Sequence, residues 1–389
     1  MPNLPEIDAA VPELTEIFRD LHAHPEIGME EVRTSAVVAA KLREWGVDEV
    51  HEGVGRTGVV GIVHGRGQGN RRIGLRADMD ALPIHEATGL PHASTQAGKM
   101  HACGHDGHTT MLLGAAQYLA RTRNFDGTAV LIFQPAEEGL GGARAMIADG
   151  LFQRFPVDEV YGMHNQPTGQ PGRATLCKGP AMAGASFFDI TVTGKGSHAA
   201  MPQQSRDALV AASGLVGQFQ TILGRNVAPL DQAVLSVTQI HAGSAYNVVP
   251  ETATLAGTIR FFRPEVRDLM QARMRAICEG AAQAFDLRIT CEFREIFDVL
   301  VNDADLSDAW TQAAADVLGA DNVRDDSQPF TGSEDFADML QQVPGAYGNV
   351  GHAGTVPLHN PGFVLDEGIL PVGASIYARL IERRLPVAA

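Results

Sequence analysis

The sequence is short of positive charge, of cysteine and of long apolar runs. Thirty Lys and Arg stand against 46 Asp and Glu, a formal net charge of −16, and no long basic run offsets the deficit. A chain of this balance repels phosphate backbones, which argues against nucleic acid as a partner. No apolar stretch reaches the roughly 18 residues that a membrane helix needs, so no membrane association is expected. The opening MPNLPEIDAAVPELTEIF carries acids and prolines where an export signal has a basic patch and an apolar run, which points to a cytoplasmic protein. Cys103, Cys177, Cys278 and Cys291 are then expected to be reduced.

What is there is an ordinary globular composition, 44% hydrophobic and 20% charged over 389 residues. That length exceeds what one core usually supports and implies two domains, or one domain with an insertion. In the first half, GVVGIV (58–63), RIGLRA (72–77), TAVLIF (128–133) and DEVYGM (158–163) read as buried strands. HTTMLLGAAQYLARTR (108–123) has helical spacing and opens on threonines suited to a cap. Strands alternating with helices predict an α/β domain, a mostly parallel sheet flanked by helices, with functional residues in loops past the strand ends. From residue 184 the order becomes β-α-β-β-α-β, the ferredoxin-like or split-βαβ module, and the α/β rhythm then resumes. The expected organisation is a catalytic domain of residues 1–183 and 297–389, interrupted by an inserted lid or dimerisation domain at 184–296.

Chemistry concentrates in MHACGHDGH (100–108), where thiolate and imidazole, the donors that borderline metals prefer, crowd a glycine-containing stretch. Glu137 and Glu138 follow the strand TAVLIF, His164 follows DEVYGM, and His359 lies between two prolines in VPLHNPGF. Taken singly these signals are weak. The loop alone is compatible with a helix-capping turn, an acidic pair is ordinarily solvated, and a lone turn histidine is ordinarily a satisfied loop residue. Their joint position at strand ends or in turns, where a parallel sheet assembles a site, makes them one candidate centre.

The chain resembles the aminoacylase, hippurate hydrolase and carboxypeptidase-G group of metallopeptidases, in the branch of bacterial hippurate hydrolases and plant auxin-conjugate amidohydrolases. The resemblance is carried by LHAHPEIGMEE (21–31), RADMDALP (76–83), MHACGHDGHTTMLLGAA (100–116), FQPAEEGLGGA (133–143), GSHAAMP (196–202) and GSEDF (332–336). It implies two divalent ions per subunit held by Cys103, His105, Glu138, His164 and His359, with Glu137 left unliganded as catalytic base. It also implies that Asp78 orients a ligand or the base, and that His198, reaching in from a partner subunit, donates to the oxyanion. Asn247 and Arg260 would bind substrate, the guanidinium gripping a free carboxylate. His101 and His108 flank the ligand loop as supporting or capping residues.

The function implied is hydrolysis of the amide bond of a small N-acyl amino acid by a homodimer or tetramer. Zinc suits the Cys and His donors best, and manganese, cobalt or nickel fit the same cage. Three other readings stand beside it: a metal-dependent dipeptidase, a catalytically silent protein binding a ligand in the same cleft, and a cysteine hydrolase with Cys103 as nucleophile.

Overall fold

Short β-branched runs bounded by glycine and polar turns form the strands that the sequence predicts, and they extend slightly further. In the computed structural model, which describes residues 3–387, helices α1 (Pro5–Ala23) and α2 (Val32–Glu44) precede strands β1 (Glu49–Val54), β2 (Gly58–His64) and β3 (Arg72–Asp78). Helix α3 (His105–Thr122), β4 (Thr128–Gln134) and β5 (Glu159–Gln166) follow. Every residue of β4 and the first six of β2 are buried, which is why these strands read as continuous apolar runs instead of alternating ones. The sheet runs β1-β2-β4-β3-β5, then Gly345–Gly351, Ala174–Thr175 and Val323–Arg324. β3 is parallel to both β4 and β5, and β5 is parallel to Gly345–Gly351, so the carboxyl ends of four strands lie along one edge.

The chain separates into two compact units. The α/β unit comprises residues through 181, 301–329 and 335 onward. Its core joins the sheet to α1, α3 and the helix Ile369–Arg384. Gly114 permits a close approach of all three helices, since a Cβ there would lie 2.9 Å from both Ala374 Cβ and Leu14 Cδ1.

Helix α3 differs from the sequence reading at its start. It begins at His105, with Gly104 at the N-cap and no side-chain cap. Thr109 and Thr110 are inside it, their hydroxyls donating to the Asp78 and Asp106 carbonyls at 2.8 and 2.7 Å. Neither the threonines nor His101 nor His108 therefore caps the helix. Gly104 takes φ +93, so the chain enters the helix through a left-handed turn that needs no capping side chain.

The second unit, residues 182–300 with 330–334, holds a four-stranded antiparallel sheet. Strands Gly184–Thr193, Ala233–Ala242, Thr252–Phe261 and Arg288–Phe297 alternate with helices Ala208–Arg225 and Pro264–Phe285 in the β-α-β-β-α-β order expected. Phe188, Ile190 and Val192 alternate into the core beneath the helices, whereas Phe187 and Asp189 face out. Among the described residues Ala233–Ala242 is an edge strand, paired only with Thr252–Phe261. No helix among the described residues is long and apolar enough to cross a membrane.

Candidate metal centre and active site

The carboxyl edge of the larger sheet gathers the donors. Cys103 sits in the turn before α3 and His105 is the helix's first residue. Glu137 and Glu138 follow β4 across Ala136, which takes a left-handed φ of +54. His164 lies inside β5 rather than after it, opposite Asn349 on the strand Gly345–Gly351. The strand runs on past Met163 because its backbone still finds a parallel partner there. His359 is held in its turn, at φ +61, by its amide donating to the Ala102 carbonyl at 2.8 Å.

Of the five triplets of donor atoms within 4.8 Å of one another among the described residues, three are built from these side chains alone: Cys103, His105 and His164; Cys103, Glu138 and His359; and His105, Glu137 and Glu138. Cys103 belongs to the first two. Its Sγ is 3.4 Å from His164 Nε2, and His359 Nε2 is 3.2 Å from Glu138 Oε1. The larger sheet thus brings together all five ligand candidates and Glu137.

Proton positions follow from the partners. His164 Nδ1 lies 2.6 Å from the Asn165 carbonyl, an acceptor, so Nδ1 carries the hydrogen and the Nε2 lone pair faces Cys103. Burial and the neighbouring His108 hold His164 well below its ordinary pKa, which keeps that ring neutral. Hydrogen bonds to Cys103 and Glu138 push His359 up to about 10. Burial pushes the Cys103 thiol up, opposed by His105.

Behind these donors stands a buried polar layer. His105 Nδ1 meets Asp80 Oδ1 at 3.1 Å, and Asp80 Oδ2 accepts the Glu138 amide at 3.0 Å. Asp78 sits further back: it accepts from Arg76 Nη1 at 2.7 Å and from His108 Nδ1 at 2.6 Å, and its Oδ2 is 3.8 Å from His105 Nε2. Burial would raise the Asp78 carboxyl, but His105, Arg76 and His108 together hold it well below the usual range. Asp78, His105 and His108 also form a close triplet, yet Asp78 is committed to its hydrogen bonds with Arg76 and His108, which makes these two residues a support behind His105. Glu31, fully buried, accepts the Ala136 amide at 2.8 Å and the Thr57 hydroxyl at 2.6 Å, and so braces the turn that presents Glu137.

Sequence reasoning missed Asp80, Glu31 and Asn165. RADMDALP and HPEIGMEE offered the carboxylates, but with no local cue to which one supports a ligand. His101 is buried with both ring nitrogens lacking a hydrogen-bond partner among the described residues, and burial lowers it to about 4.

The donor set fits a metal centre on one observation above all. Among the described residues buried His105 Nε2 has no hydrogen-bond partner and Glu138 Oε1 faces the His359 ring nitrogen at 3.2 Å, although both atoms belong to residues of close donor triplets. Such an orphan is costly unless something else satisfies it. A model of Peptidase family M20/M25/M40 matches residues 74–383. The chain belongs to that family. A hippurate hydrolase of Campylobacter jejuni is 42% identical over 382 residues, covering 98% of this chain and 99% of the relative. An N-acetylcysteine deacetylase of Bacillus subtilis is 38% identical, covering 94% and 95%. Among solved structures, a dinuclear metal-binding M20 peptidase of Bacillus subtilis superposes with a TM-score of 0.85 at 34% identity, covering 98% of this chain and all of that one.

In this M20-family chain the remaining candidates lie in the second unit. His198 Nδ1 accepts the Ala200 amide at 3.1 Å, so the hydrogen is on the exposed Nε2. Asn247 adjoins it, its carbonyl accepting the Ala199 amide at 3.0 Å. Arg260 is elsewhere. On the strand Thr252–Phe261, Thr252 pairs with Thr193 at the end near His198, and Arg260 pairs with Ala185 at the other. Eight residues of extended chain separate the two ends by about 27 Å. Arg260 donates to Thr258 Oγ1 and the Ile259 carbonyl and has no carboxylate partner among the described residues.

Proposed function

We propose that this chain hydrolyses the amide bond of small N-acyl amino acids, releasing a carboxylate and a free amino acid, with two divalent ions as cofactors. The reading rests on Cys103, shared between one triplet with His105 and His164 and another with Glu138 and His359. One donor common to two triplets is what a pair of ions requires. The family membership and the hippurate hydrolase and N-acetylcysteine deacetylase relatives support the substrate class. Thiolate and imidazole donors favour zinc, with manganese, cobalt and nickel as alternatives.

When bound, such an ion pair makes water a nucleophile near neutral pH and polarises the substrate carbonyl. Glu137, buried beside that donor set, takes the proton of the attacking water and delivers it to the departing nitrogen. Glu138 is occupied as a ligand, so the adjacent carboxylates divide the work between charge and proton transfer. Asp80 and Asp78 hold His105 and its surroundings in place.

Arg260 grips the free carboxylate of the substrate. His198 Nε2–H donates to the oxyanion as the tetrahedral carbon forms, and Asn247 beside it contacts substrate. A substrate of this size cannot span about 27 Å of strand, so the His198–Asn247 pair and Arg260 serve one active site only if they come from different copies of the chain. This favours a homodimer in which the second unit is the dimerisation domain and lid. The unpaired edge Ala233–Ala242, with exposed Ile240, Tyr246 and Val248 nearby, offers the surface for it.

Burial raises the Cys103 thiol, which weighs against a free cysteine nucleophile. The test is release of glycine from benzoyl-glycine, and of amino acids from an N-acetyl panel, before and after chelation. Turnover abolished by chelation and restored by added ions is expected. No turnover on the whole panel with metal sites full would overturn the hydrolase reading in favour of a binding protein.

A further inference from the structure

Asn165 is buried and bonded on every side. Its carbonyl takes the His164 Nδ1 hydrogen at 2.6 Å, and its side-chain Nδ2 donates to the Cys103 carbonyl at 2.6 Å. Its backbone N–H donates to His108 Nε2 at 3.0 Å, and His352 Nε2 lies 3.0 Å from its Oδ1. One residue thus touches two of the five ligand candidates and the histidine that leans on Asp78. We propose that Asn165 is the positioning residue that fixes the Cys103 and His164 donors relative to each other, with His352 setting the orientation of its amide; the proposal rests on the metal-centre reading above.

The amide has one workable orientation. His352 Nδ1 faces the Asp366 amide, a donor, so the ring hydrogen is on Nε2 and points at Asn165 Oδ1. Reversing the amide would set its oxygen against the Cys103 carbonyl and its NH2 against the His352 N–H, which is two repulsions in a site sealed from water. His352 is itself buried, and burial keeps its pKa below the ordinary histidine value, so it stays a neutral donor through Nε2.

Backbone shape agrees independently. Gly104, between Cys103 and His105, takes φ +93, and a Cβ there would lie 2.4 Å from Asn165 Nδ2. The ligand turn is moulded around this amide. Since Asn165 holds Cys103 by its side chain and His164 by its main chain, truncation releases the Cys103 side of the pair while β5 still carries His164. Aspartate is worse than alanine: it puts an acceptor, and at neutral pH an anion, against the Cys103 carbonyl.

The test uses metal-depleted full-length protein titrated with Co(II) alone, reading affinity by chelator competition and the thiolate-to-metal charge-transfer band. Wild type should bind two ions and show the band. N165A should lose roughly 10–100-fold in affinity for one ion with a shifted or weakened band, as supporting residues of metal ligands typically do. N165D should lose more. H352Q, which frees the amide to turn without emptying the ligand turn, should move both readouts in the same direction by less, and it carries the test if N165A does not fold. Variants that melt lower yet keep wild-type affinity and band would overturn the proposal, because a purely structural role predicts that pattern. A wild type that binds no Co(II) would instead overturn the metal-centre reading beneath it.

Discussion

Asp80 joins the two loops that carry candidate ligands: one carboxylate oxygen lies 3.1 Å from His105 Nδ1 and the other accepts the Glu138 amide at 3.0 Å. A single side chain therefore orients an imidazole on α3 and the backbone of the turn after β4. Replacing Asp80 with Ala should lower metal affinity about 10–100-fold and slow turnover, because both loops lose their common acceptor. D80N, which keeps one acceptor oxygen, should fall between. Chelator competition beside kcat measures this; unchanged affinity in D80A would refute the bridging role.

Glu137→Gln keeps the shape of the proposed base and removes its proton affinity. Metal content should stay at the wild-type level while kcat falls by about 100- to 10,000-fold. Mixing E137Q with H198A should restore partial activity if His198 acts on a partner's site, since one hybrid site would then have both groups intact. Inactive mixtures would place His198 outside catalysis or within its own subunit's site.

Arg76 is fully enclosed and bonded to Asp78 at 2.7 Å, Asp335 at 3.1 Å and Gln134 at 2.8 Å. Arg76→Ala strands two buried carboxylates and should cost about 3–5 kcal/mol of stability, the usual penalty for removing one partner of a buried ion pair. Thermal or denaturant unfolding of R76A against wild type reads it. A loss comparable to that of a surface arginine would show that water reaches the pocket.

His22 predicts a pH dependence of stability. Burial would lower its pKa, but Asp106, at 2.7 Å, and Glu86 overcome this and raise it from 6.5 to about 10. The folded state holds the proton more tightly than the unfolded chain, so this stabilisation is complete below pH 6.5 and is lost as pH rises towards 10. The gap in melting temperature between wild type and H22Q should therefore be widest below pH 6.5 and shrink through that window. A gap independent of pH would mean that His22 is neutral in the fold.

How much was legible varies with how local the cause is. The buried strands, the βαββαβ order and the adjacent Glu137 and Glu138 were readable, because periodicity, β-branching and turn residues act over a few neighbours. The capping of α3 was misread for the same reason: threonines beside a helical pattern look like caps until a left-handed Gly104 starts the helix three residues earlier. Sequence by itself determined which donors exist and that they cluster near strand ends. Only the tertiary structure decided that Cys103 is shared between two triplets and that Asp80 buttresses His105 directly while Asp78 stands behind it. It alone decided that Asn165 ties Cys103 to His164, and that His198, in a separate two-stranded sheet, lies near one end of the strand Thr252–Phe261 while Arg260 lies at the other. The physical reason is that each of these facts is a distance between atoms far apart along the chain, set by which parallel strands become neighbours and where each one ends.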